Sequence, residues 1–122
     1  MEEWEILVTD ECLDWFGMLD RSSQALITDA IDRLAAAGPQ LGRPLVDRIK
    51  GSELHNLKEL RPASVGRSEI RILFVFDPWR SAILLIGGDK AGNWKHWYAA
   101  AIPEAERLYA EYLEARRREE EQ

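Results

Sequence analysis

Residues 81 to 88 read Ser-Ala-Ile-Leu-Leu-Ile-Gly-Gly, a run without a single charge. A strand of that composition has no face suited to water, so it must lie inside its sheet with cover on both sides. Just before it, Glu69 to Asp77 is rich in β-branched and aromatic residues and predicts a second strand. Asp77-Pro78-Trp79-Arg80 predicts the turn between them, with Pro78 where its fixed φ helps. Leu57 to Arg61, ended by Pro62, is a third strand candidate, and the three are expected to form an antiparallel meander.

The N-terminal third supplies helices. Residues 4 to 8, Trp-Glu-Ile-Leu-Val, predict a short first strand, and Thr9 and Asp10 are good helix N-caps. Cys12, Leu13, Phe16 and Leu19 then recur at helical spacing. Asp20-Arg21-Ser22-Ser23 ends that helix and caps another, whose stripe is Leu26, Ile27, Ala30, Ile31 and Leu34. Gly38-Pro39 is a C-terminal stop, so the two helices are expected as an antiparallel hairpin.

Residues 39 to 54 lack a clean period and read as a long connecting loop. Gly87-Gly88 reads as the end of the apolar strand, and residues 89 to 101 as a mixed loop or short helix. Pro103 sits where a first helical turn tolerates proline, and Ala105, Leu108, Tyr109, Tyr112 and Leu113 make an amphipathic stripe behind it. Residues 114 to 122 form a charge run expected to fray, with Arg116 within reach of Glu119 or Glu120.

The 122 residues fit one domain with one core, and no apolar run approaches a membrane span. The N-terminus lacks a secretory pattern, so an intracellular, cytoplasmic protein is expected. One cysteine and two histidines some forty residues apart make no zinc motif. Cys12 lies on a core stripe and is a poor nucleophile candidate.

The formal net charge of -6 is unevenly distributed. Residues 1 to 60 carry 12 acids and 6 bases, residues 61 to 101 carry 3 acids and 6 bases, and residues 102 to 122 carry 7 acids and 4 bases. The basic middle holds Arg61, Arg67, Arg71, Arg80, Lys90 and Lys95 among Trp79, Trp94, Trp97, Tyr98 and His96. Such a mixture suits phosphates and stacked bases, and is also ordinary surface composition. Arg71 stands out because it interrupts an apolar strand. By alternation Ile70, Ile72, Phe74 and Phe76 share one face and Arg71 takes the other, either paired with a carboxylate such as Glu59 or Asp89, or open to a phosphate.

Leu57-Lys58-Glu59-Leu60-Arg61, Ile70-Arg71-Ile72-Leu73-Phe74, the run from Ala82 to Lys90, and Ala105-Glu-Arg-Leu-Tyr109 follow one another in a recognisable order. Together they resemble the RelE/ParE superfamily of type II toxins, closest to its phage-derived HigB-like branch. The resemblance implies an α+β fold: a small antiparallel sheet with an N-terminal helix hairpin and a C-terminal helix, over a single domain spanning 1-122. It implies a metal-independent and cofactor-free endoribonuclease that cuts messenger RNA, usually on the ribosome, by attack of a ribose 2′-hydroxyl on the adjacent phosphate. Arg71 matches the strand arginine that stabilises the transition state, and Lys90 matches a basic position facing the same phosphate. Tyr98 and His96 are the acid/base candidates. Arg61, Arg67, Arg80 and Lys95 are expected to position RNA, with Trp94 and Trp97 either stacking on bases or packing between the sheet and the last helix.

The implied partner is an acidic or helix-turn-helix antitoxin covering the basic face, with operator DNA reached only through it and no membrane contact. The chain departs from strongly ribosome-dependent relatives in being acidic overall and in carrying Glu59 where further lysines are usual. Two other readings follow from the same fold: a ParE-like, non-catalytic inhibitor of a protein such as gyrase, or a degenerate toxin that only binds its antitoxin.

Overall fold

A computed structural model describes residues 3–121. In chain order the elements are β1 (Glu5–Val8), α1 (Asp10–Gly17), α2 (Arg21–Ala37), β2 (Val46–Arg48), β3 (Lys58–Leu60), β4 (Ile70–Phe76), β5 (Ser81–Asp89) and α3 (Trp94–Glu120), with a 3₁₀ turn at Gly38–Gln40. One sheet runs β1-β5-β4-β3-β2. The expected meander β3-β4-β5 is its centre, but the sheet is mixed rather than wholly antiparallel, because β1 pairs parallel to β5. β5 thus gains a neighbour on each side, as its apolar run demands.

The helix hairpin covers one face. Cys12 of α1 and Ile27, Ala30 and Leu34 of α2 pack on Ile70, Ile72, Phe74, Ala82 and Leu84. On the other face Ala101, Ala105, Leu108 and Tyr109 of α3 meet Leu57, Leu73, Val75, Ile83 and Leu85. The strand alternation read from Ile70 to Phe76 holds: even positions face the hairpin and odd positions face α3. One extra residue in β5 shifts the register, since Leu73 pairs with Ile86 while Phe74 pairs with Leu84. This bulge turns Leu85 and Ile86 toward the same α3 side. Thr9 Oγ1 donates to the Leu85 carbonyl at 2.6 Å and, as the cap of α1, accepts from Cys12 N at 3.1 Å. Burial pushes the Cys12 thiol up to about 12, in keeping with a core role.

Several expectations are corrected. The stretch 39 to 54 holds β2, which is only three residues long and buries Val46 alone, too little to show an alternation. Gly87-Gly88 does not break β5, which continues to Asp89. The two glycines are seats for indoles instead. A Cβ on Gly87 would collide with the ring of Trp15 from α1, and a Cβ on Gly88 would collide with the indole nitrogen of Trp97 from α3. Finally, α3 begins nine residues before Pro103, which lies inside the helix. Tyr98-Ala-Ala-Ala101 is strongly helix-forming, and Pro103 is exposed, so water can solvate the carbonyl its missing N–H leaves unpaired.

The helix also continues through the charged tail to Glu120. There Arg117 pairs with Glu114 at 2.5 Å and Glu121 at 3.0 Å, exposed contacts that contribute little. Arg116 does not meet Glu119 or Glu120 but stacks over Trp79, 4.0 Å from its ring centroid. Beside it, Tyr112 Oη donates to Asp77 Oδ2 at 2.5 Å, tying α3 to the β4–β5 turn. Burial, then this carboxylate, push the Tyr112 phenol up to about 12. Among the described residues no helix is long and apolar enough to cross a membrane.

The glycine seats lead to a first prediction. Gly88→Ala should lower stability by about 1–3 kcal/mol through overpacking against Trp97, and much of that loss should vanish when Trp97 is also cut to Leu. Urea unfolding of the two single variants and the double variant measures this.

Candidate active site

Alternation along β3 places Glu59 on the α3 side with Leu57, between Lys58 and Leu60 on the other side. Its carboxylate is only 3% exposed. A charge taken out of water to that degree must be met by donors. Three residues meet it. Arg61 donates to Oε2 through Nε at 3.1 Å and Nη2 at 2.8 Å, Tyr98 Oη donates to Oε1 at 2.5 Å, and Arg71 Nε lies 3.7 Å from Oε1. Arg61 Nη2 also reaches Asp47 Oδ2 at 3.1 Å, and Asp47 in turn pairs with Arg43 at 3.2 Å. Of the two readings left open for Arg71, pairing with Glu59 is the observed one. The pairing is incomplete, however: Nη1 donates to the Ile70 carbonyl at 2.8 Å, while the buried Nε makes no hydrogen bond among the described residues. Arg71 is therefore a charge partner of Glu59 whose Nε donor is unused.

Tyr98 comes from the second turn of α3 and is held on several sides. Trp97, seated on Gly88, packs edge-on to it with centroids 5.0 Å apart, and Lys90 Nζ lies 5.6 Å from its ring centroid. Gly88 pairs with Arg71 across the β4–β5 ladder, so the Trp97 seat lies beside the arginine. Burial first, then the hydrogen bond to Glu59, push the Tyr98 phenol well above its ordinary range, so it keeps its proton. Lys90 follows β5, its backbone N–H donating to the Glu69 carbonyl at 3.1 Å and its Nζ 3.7 Å from Glu69 Oε2. Asp89 fixes that corner by accepting from the N–H groups of Glu69 and Ala91, each at 2.9 Å.

The structure thus brings Arg61, Arg71, Lys90 and Tyr98 together, with Trp97 as support. Trp94 borders the cleft that opens over Glu59 and Tyr98. The remaining expected site residues lie elsewhere. His96 is exposed and lines a separate hollow with Gly92, Asn93, Trp94 and Lys95. Lys95 lies over the Trp94 ring at 5.6 Å. Arg67 is exposed in the turn before β4. Arg80 sits at the opposite end of the β4–β5 hairpin, over Trp4 at 5.1 Å, and the rest of β4 from Ile72 to Phe76, roughly 17 Å, separates it from Arg71. Sequence reading missed Glu59 as the centre of the cluster, treating it as one possible partner of Arg71. The signal was there in the same-face spacing of Leu57, Glu59 and Arg61. It also missed Arg48 and Lys50, which line the cleft from the stretch read as loop.

Chemically the cluster offers a carboxylate that can accept a proton, a phenol that can give one, and two guanidinium groups and an ammonium for an oxyanion.

Residues 14–110 match the family of phage-derived Gp49-like proteins. The chain is 56% identical over 99 residues to the candidate toxin HigB3 of Mycobacterium tuberculosis, a match covering 81% of this chain and 84% of that one. It is 52% identical over 99 residues to the candidate toxin HigB2 of the same organism, where it spans 49% of the relative's length. Among solved structures, a double arginine-to-alanine mutant of the E. coli toxin RelE in the free state aligns with a TM-score of 0.61, covering 83% of this chain and 96% of that chain at 9% identity. The toxin–antitoxin complex RelBE2 of M. tuberculosis aligns with a TM-score of 0.54, covering 71% and 98% respectively at 13% identity. At such identities the likeness is one of fold.

The raised Tyr98 value has a measurable consequence. The folded state holds a phenolic proton that the unfolded chain releases near pH ~10, so the associated stability is intact below that pH and is lost as pH rises toward the folded value. Stability should therefore fall above pH ~10, and Tyr98→Phe should fall less steeply, as read by urea midpoints across an alkaline series.

Proposed function

Because this chain belongs to the phage-derived Gp49-like family, with HigB proteins among its relatives, we propose that it is the toxin of a type II toxin–antitoxin pair. In this reading it acts in the cytoplasm as an endoribonuclease on messenger RNA, and an antitoxin is its protein partner. The RelE-like fold and the names of the relatives support the class. The observation that carries the chemistry is the convergence of Arg61, Arg71 and Tyr98 on the buried carboxylate of Glu59, with Lys90 alongside.

The reaction draws on these side chains as follows. A ribose 2′-oxygen attacks the adjacent phosphorus while Glu59 takes the hydroxyl proton. The bond from phosphorus to the 5′-oxygen breaks, and that oxygen takes the Tyr98 proton, leaving a 2′,3′-cyclic phosphate and a 5′-hydroxyl. Arg71 and Arg61 carry the charge that builds on the phosphoryl oxygens, and Lys90 offsets the transient phenolate. The 2.5 Å hydrogen bond then returns the proton from Glu59 to Tyr98 and resets the pair. Glu59 occupies the arginines until a phosphodiester arrives, so the same carboxylate holds the site in register and serves as its base.

Induced expression with mapping of new RNA 5′ ends tests the reading. Wild type should arrest growth and produce cuts, and Arg71→Ala should lower cleavage by roughly 10²- to 10³-fold. Arrest without cuts would identify a protein target such as gyrase, and arrest in neither strain would leave an antitoxin-binding remnant.

The acid/base assignment is tested separately. Glu59→Gln and Tyr98→Phe should each reduce cleavage by roughly 10²- to 10⁴-fold, while His96→Gln should cut at the wild-type rate. Loss of cleavage in His96→Gln alone would move the proton-transfer role to the imidazole.

A further inference from the structure

We infer that the cleft next to Glu59 is a base subsite, in which Trp94 stacks on an unpaired base beside the cut and Arg48 and Lys50 hold the flanking phosphates. This rests on the nuclease reading above and specifies its substrate as single-stranded.

The cleft has a volume of about 220 Å³ and is lined by Arg48, Ile49, Lys50, Trp94 and Ile102, with Glu59 and Tyr98 reaching it from the catalytic cluster. Trp94 is 56% exposed and contributes to neither core, although it is the first residue of α3. An indole mostly in water at the edge of a charged site, with the Lys95 ammonium 5.6 Å from its ring centroid, presents apolar surface to a ligand. The same lining carries two cations, Arg48 at the end of β2 and Lys50 just after it. An indole and two cations in one cleft, beside a cluster suited to phosphate chemistry, match the parts of a nucleotide.

The loop that carries the two cations is tied to the rest of the fold. Ile49 N donates to the Leu57 carbonyl at 3.0 Å, closing the loop behind Lys50. The carboxylate of Glu106 on α3 accepts from Ser52 Oγ at 2.7 Å and from Glu53 N at 2.6 Å. The loop after β2 is therefore bound to the helix that presents Trp94. In a duplex each base is already stacked on both faces, so Trp94 can engage one only by extracting it, and unpaired RNA is preferred.

The experiment uses short RNAs carrying a 2′-deoxy sugar at the mapped cut, which bind without being cleaved, and reads fluorescence anisotropy. Trp94→Ala should weaken binding by roughly 5- to 150-fold and Trp94→Phe should restore most of it. An abasic scan gives the decisive readout: one position should cost the wild type a similar factor and cost Trp94→Ala nothing. Additive losses at every position, or a duplex bound as tightly as the single strand, would overturn the subsite while leaving the nuclease reading intact. A wild-type protein that neither binds nor cuts RNA overturns both.

Discussion

A buried carboxylate is the constraint on which the rest of this molecule turns. Glu59 sits between the sheet and α3 with almost no access to water, a position several kcal/mol unfavourable without donors. Its partners come from three elements: Arg61 just past β3 and Tyr98 from α3 donate hydrogen bonds, and Arg71 from β4 adds an ion pair at 3.7 Å. Satisfying one charge thus fixes the strand register and the seating of the first turns of the last helix together. The geometry that meets a folding requirement is also the geometry the proposed cleavage draws on, because a carboxylate, a phenol and two guanidinium groups end within a few ångströms of one another.

This arrangement accounts for how an acidic protein can present a cationic site. Residues 1 to 60 carry 12 acids against 6 bases, yet Arg48 and Lys50 from that same stretch line the cleft. The sheet separates the acid-rich helix hairpin from the face where Arg61, Arg71 and Lys90 gather. Net charge describes the whole molecule, whereas an RNA strand would meet the local field of one face.

Much of the architecture was legible from residues alone, for reasons that are physical. The charge-free run from Ser81 could only be a central strand, and the stripe Ile27, Ala30, Leu34 could only cover a sheet. Arg71 was identifiable because an arginine inside an apolar strand needs a reason to be there. What escaped was set by neighbours distant in sequence. β2 is too short to carry a pattern and exists because β3 offers it an edge to pair with. Pro103 reads locally as a helix start, while the helix actually forms upstream, where Trp97 docks on Gly88. Tyr98 could not be ranked above His96 from sequence because the two are only two residues apart, and the helix turns one toward Glu59 and the other toward solvent.

The unequal anchoring of α3 has a further meaning. Its buried residues begin at Ala101 and continue through Ala105, Leu108 and Tyr109, so the turns before them are held chiefly by one indole seated against a glycine and one phenol bonded to a carboxylate. Pro103 removes a rung of the hydrogen-bond ladder close to that boundary. The opening turns of α3 are a cantilever clamped at one end, with a hold on the sheet that is separate from the apolar sandwich behind them. The segment bearing Trp94 and Tyr98 is therefore the part of the helix that the core can spare.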